Sequence, residues 1–148
     1  MIKTILLALA ITAAGAGQAL ATEKKLSLSA EEMLGMIDAI NKLGPYQELD
    51  RNRNAVTVNM NFASATILTL AADRSRLVAA FQVVQEAAKS QHTGKADHDE
   101  KIDTDIMQAK NDVTLTTLDV KELRLDQNPG IPPRIISILD PILDGVTH

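Results

Sequence analysis

The stretch ASATILTLAADRSRLVAAFQVVQEAAKSQ, residues 63–91, decides the fold. Read at the helical period, it places Ile67, Leu70, Leu77, Phe81, Val84 and Ala88 on one face in alternating steps of three and four. Arg74 is the one interruption of that seam. The flank opposite is rich in alanine (Ala71, Ala72, Ala79, Ala80, Ala87), which favours helix and lets neighbouring helices approach closely. The stretch therefore predicts a long central packing helix. The fold class expected is mainly α: a small helical hairpin or bundle around this helix, with at most a minor two-stranded β element. A guanidinium on an apolar face must reach water by its long stem or meet an acid. Asp38, or an acid of the following helix, is the expected partner, which makes Arg74, Leu77 and Phe81 a structural seam rather than a ligand site.

Immediately before this helix, Val56, Val58, Met60 and Phe62 alternate with Thr57, Asn59 and Asn61, the period of a half-buried strand. Residues 46–54, with Asp50-Arg51-Asn52-Arg53-Asn54, read as an exposed polar loop. A first helix is predicted from Ser29. Ser29 and Glu32 have the spacing at which each side chain satisfies the other residue's free amide, and Leu28 can staple against Met33. Its buried stripe is Met33, Ile37 and Ile40, and Gly44-Pro45 ends it. Residues 22–27, charged at Glu23, Lys24 and Lys25, read as a flexible lead-in.

Beyond the central helix, residues 91–95 make a turn short enough to force an antiparallel return. A third helix over 97–110 has a thin apolar face (Ile102, Ile106, Ala109) and covers the central helix from outside. Val113 to Leu118, dense in β-branched residues, reads as a second strand, expected to pair antiparallel with the first. Asn128-Pro129-Gly130-Ile131-Pro132-Pro133 is a stiff turn into a short helix ending near Leu139, and Ile135, Ile138, Leu139, Ile142 and Leu143 should dock this tail on the core.

Lys3 followed by the apolar run from Ile5 to Ala16, then Ala19-Leu20-Ala21, reads as a signal peptide cleaved after Ala21. The run is too short for a membrane anchor. The expected organisation is a signal peptide, 1–21, and one helical domain, 22–148, periplasmic or secreted, with no stable membrane anchor after cleavage. With no cysteine, disulfides, a lipid anchor on cysteine and thiol chemistry are excluded. A net charge of −4, made more negative when Lys3 is removed, argues against a nucleic-acid partner. With one Tyr, two Phe and no Trp, the core must be aliphatic, and stacking on bases or sugars is poorly supported.

The densest set of possible metal ligands is Asp97, Asp99 and Asp103, with His98, Glu100 and Asp105 beside them. A helix-loop-helix calcium loop counted from Asp97 fails, because Ile102 stands at the sixth position and Gln108 at the twelfth. His92, His98 and His148 lack zinc spacing. No serine sits in a Gly-x-Ser-x-Gly turn, and no glycine-rich phosphate loop is present, so no catalytic residue and no cofactor is assigned. Two functions follow: a non-catalytic interaction or structural protein that buries apolar helix surface against a protein partner or a second copy, or a divalent-metal-binding or metal-dependent hydrolytic protein using the acidic start of the third helix.

The order of Leu43-Gly44-Pro45-Tyr46, Phe62, the helix holding Arg74 and Leu77, Asp112-Val113, Leu123-Arg124-Leu125-Asp126-Gln127-Asn128 and Ile131-Pro132-Pro133 resembles small bacteriophage and prophage proteins. That resemblance implies neither catalytic residues nor a ligand.

Overall fold

The computed structural model describes residues 21–146. The expected signal peptide therefore lies outside the described residues except for Ala21. The protein is mainly helical with minor β structure. In chain order it runs β1 (Glu23–Leu28), α1 (Ala30–Lys42), β2 (Tyr46–Leu49), β3 (Ala55–Val58), α2 (Ser64–Gln91), α3 (Ala96–Gln108), β4 (Asn111–Thr116), β5 (Leu118–Asp119), α4 (Pro133–Leu139) and β6 (Leu143–Asp144).

Helix α1 begins as its sequence dictates. The Glu32 amide donates to Ser29 Oγ at 3.2 Å and the Ser29 amide to Glu32 Oε2 at 2.6 Å, so two otherwise unpaired helix-end donors are satisfied. Met33, Met36, Ala39 and Ile40 face the core. Pro133 opens α4, where its fixed φ and missing N–H cost nothing. Ile135, Leu139 and Ile142 then plug the core from the C-terminal side.

The strand pairing differs from the sequence expectation. The lead-in is a strand, β1, antiparallel to β4 in the register Glu23↔Thr116 to Leu28↔Asn111. Glu23 and Lys25 stand on the solvent face, Lys25 reaching Asp112 at 2.8 Å, while Leu26 and Leu28 turn toward the core and Lys24, on their face at the strand's start, stays exposed and donates to the Pro141 carbonyl at 3.0 Å. β3 pairs instead with β2, inside the segment expected to be all loop, giving a hairpin over Tyr46–Val58. At its tip the Asp50 carboxylate accepts the amides of Asn52 and Asn54, each at 2.8 Å, and Arg53 takes a left-handed φ of 62° to close the turn. A local partner wins here because a hairpin closes a short loop, whereas pairing β3 with β4 would have to span α2 and α3.

Helix α2 packs on α1, β4 and α3. The face it buries is Thr66, Leu70, Asp73, Leu77, Val84 and Ala88. In its first half this face is turned by one residue from the expected seam. Thr66 and Asp73 replace Ile67 and Arg74, while Leu77 is fully buried and Phe81 packs half-buried against the core. The turn is stabilised by polar partners from distant chain: Thr66 Oγ1 donates to Glu122 at 3.0 Å, and Asp73 accepts the Thr116 amide at 2.9 Å. Helix α3 has no fully buried residue and packs against α2 and α1.

Candidate functional site: an apolar groove beside the central helix

Between the end of α1 and the first turns of α2 lies a groove of about 460 Å³. Ile40, Leu43, Gly44 and Pro45 form one wall, and Ile67, Leu70 and Ala71 of α2 form the other. Asn59, Met60 and Phe62, in the connection from β3 to α2, make the floor and rim. That connection is held rigidly. Asn128, 5% exposed, accepts the Asn61 amide at 2.6 Å, donates to the Asn61 carbonyl at 3.2 Å and donates to the Leu123 carbonyl at 2.9 Å. One asparagine side chain thus imitates a neighbouring strand and fixes where Met60 and Phe62 sit.

The groove exists because of the turn in α2. With Thr66 and Asp73 facing inward, Ile67 and Arg74 swing to the α1 side, where Ile67 remains 51% exposed. Arg74 stands at the groove's edge with its Nε donating to Asn41 Oδ1. It meets neither Asp38, which is paired with Lys42 at 2.6 Å, nor an acid of α3. Among the described residues its two Nη groups have no partner. Arg74 is therefore not part of the buried seam; it is an exposed cation beside an apolar recess.

A second polar arrangement lies on the far side of α2. Asp73 is fully buried, with Oδ1 accepting the Thr116 amide and Arg76 Nη1 approaching it at 3.5 Å. Arg76 also donates to Thr116 Oγ1 at 3.1 Å and to Glu23 at 3.2 Å, so one guanidinium ties α2 to both strands of the β1–β4 pair. Asp73 Oδ2 is buried without a hydrogen-bond partner. Burial pushes the Asp73 carboxyl above its ordinary pKa, and the Thr116 amide and the Arg76 charge only partly offset it. Through Thr116 and Arg76 this carboxylate locks helix to sheet.

The acids at the start of α3 do not converge. Asp99 accepts the amides of Thr93 at 2.7 Å and Gly94 at 3.0 Å, bonds that hold its carboxyl below the usual carboxylate range and clamp the α2–α3 turn. Asp103 pairs with His92 at 2.7 Å, and Asp97 joins neither group. Among the described residues no three potential ligands could hold a metal ion. In this arrangement Asp99 serves the turn, Asp103 pairs with His92, and Asp97 stands on the solvent face.

Sequence reasoning missed Asp73, Asn128 and the groove itself. Only Asp73 left a trace, as the residue that continues a Thr66-Leu70-Leu77 stripe at steps of four, three and four. Comparison with protein-family models, curated proteins and solved structures gave no match.

Proposed function

We propose that this is an exported, non-catalytic interaction protein, periplasmic or secreted after cleavage at Ala21, built as a helical hairpin around α2, whose outer face pairs with a second copy of the chain. The observation that carries this reading is the surface of α2 directly opposite its buried side. Leu68 is 70% exposed and Val83 65% exposed, with Ala72, Ser75 and Ala79 between them, all exposed. At 3.6 residues per turn these five share one stripe, so α2 is apolar on two sides, as expected of a helix covered on both.

The stripe is self-complementary. Leu68 and Val83, like Ala72 and Ala79, lie at equal distances from the midpoint between Ser75 and Arg76. Two α2 helices crossing antiparallel at that midpoint would set each Leu68 against the other copy's Val83 over roughly 22 Å of helix. The alanines between them allow close approach. Size-exclusion chromatography with light scattering tests it. The chain should run as a concentration-dependent dimer, and Leu68→Glu, a charge at an exposed site, should give a folded monomer. A wild-type chain that stays monomeric up to hundreds of micromolar refutes self-pairing.

A further inference from the structure

We propose that the groove between α1 and α2 is a binding site for a free, unbranched medium-chain carboxylic acid, with the alkyl chain in the recess and the carboxylate on Arg74. Four observations combine. The recess is walled mostly by aliphatic, thioether and aromatic groups, among them Leu43, Met60, Phe62 and Leu70, with Asn41 and Asn59 the polar side chains beside Arg74, so it offers an alkyl chain burial. Its volume of about 460 Å³ falls within the range of small-ligand sites and suits a single chain. Among the described residues that line it, Arg74 is the one charged residue and none is an acid. The Arg74 Nε is held by Asn41 while the Nη pair is unpartnered among the described residues, so the guanidinium is braced with donors free for an anion.

Charge complementarity decides the head group. A planar fork of N–H donors matches a carboxylate bidentately, and charged hydrogen bonds are the strong ones. A quaternary ammonium would be repelled, and an alcohol would offer one neutral acceptor where a carboxylate offers two charged ones. This site lies on a different side of α2 from the Leu68–Val83 stripe and does not depend on dimerisation.

Calorimetric titration of the full chain as purified from expressing cells, with octanoate, decanoate and dodecanoate below their micellar concentrations, tests it. Affinity should rise about fourfold per methylene buried, which is ~0.8 kcal/mol at room temperature. Decanol should bind at least about tenfold more weakly than decanoate, the lower range for losing a charged hydrogen bond. Arg74→Met should weaken decanoate by the same factor and leave decanol unchanged, while Ala71→Phe, which crowds the recess from the α2 wall, should weaken both. Absence of decanoate binding, equal binding of decanol or decyltrimethylammonium, or an unchanged decanoate affinity in Arg74→Met overturns the proposal. So does flotation with phosphatidylglycerol vesicles in the absence of decanoate binding, which would make Arg74 part of a membrane contact.

Discussion

Asp73 is a buried carboxylate whose charge is a burden on the fold, and replacing it with asparagine separates its two tasks. Oδ1 carries the structural task, since it accepts the Thr116 amide at 2.9 Å and anchors the end of β4 to α2. Oδ2, buried and unpartnered, carries the cost. Because the folded pKa is raised above the unfolded value, the folded state holds its proton more tightly. The stabilisation from that proton is fully present below the unfolded pKa and is lost as pH rises through the folded one. In that window the slope approaches about 1.4 kcal/mol per pH unit. Asp73→Asn retains an acceptor for Thr116 and removes the charge; it also gives up the Arg76 approach at 3.5 Å, worth less than about 1 kcal/mol for a half-exposed guanidinium. Asp73→Ala removes the acceptor as well and strands the Thr116 amide, at a cost of about 1–3 kcal/mol.

Urea melts from pH 4 to pH 8 should therefore place Asp73→Asn above the wild type at pH 7, with that advantage shrinking toward zero in acid. Asp73→Ala should lie about 1–3 kcal/mol below Asp73→Asn throughout. Comparing variants at each pH cancels the carboxyls that shift the other way, Glu32, Asp50 and Asp99, whose stabilisation is present above their unfolded pKa values and lost as pH falls through their lower folded ones. If Asp73→Asn is as unstable at pH 7 as Asp73→Ala, the ionised carboxylate is a favourable partner of Arg76 and the reasoning is refuted.

Arg74→Ala should change stability by less than about 0.5 kcal/mol in the same melts, because the side chain is exposed and its one hydrogen bond is to a surface asparagine. Asn128→Ala should cost at least about 2 kcal/mol, since it leaves the amide and carbonyl of Asn61 and the carbonyl of Leu123 to find new partners. Amide hydrogen exchange in that variant should rise first at Asn61 and Phe62, on the groove's rim.

What was legible in the sequence was local. The reciprocal bonds of Ser29 and Glu32 span three residues, and their geometry follows from backbone chemistry alone. The bounds of α2 and the proline start of α4 follow from equally short signals. The phase of α2 did not. Apolar counting favours Ile67 over Thr66, yet the chain buries Thr66 and Asp73 because Glu122 and Thr116 supply hydrogen bonds from more than forty residues away. β1 was hidden for a similar reason: Lys24 and Lys25 mask the Leu26 and Leu28 alternation, and its partner strand begins at Asn111. The groove required both facts together. It appears only once Ile67 and Arg74 have turned toward α1 and Asn128 has fixed the connection at Asn61.

The join between β1 and β4 also has a kinetic meaning. Glu23–Leu28 can pair only when Asn111–Thr116 has been made and brought back across α1, α2 and α3. Helices α1 and α2 hold mostly short-range contacts and can coil early, but a ring that closes so late in the chain is slow to form. Until it closes, the Thr116 amide is absent from Asp73, whose carboxylate remains in water and ionised near neutral pH. Dehydration of that carboxylate and arrival of the last strand are therefore one event. The arrival of the last strand thus supplies the hydrogen bond that a buried carboxylate more than forty residues earlier in the chain depends on, so the fit of the sheet and the fit of that charge are settled together.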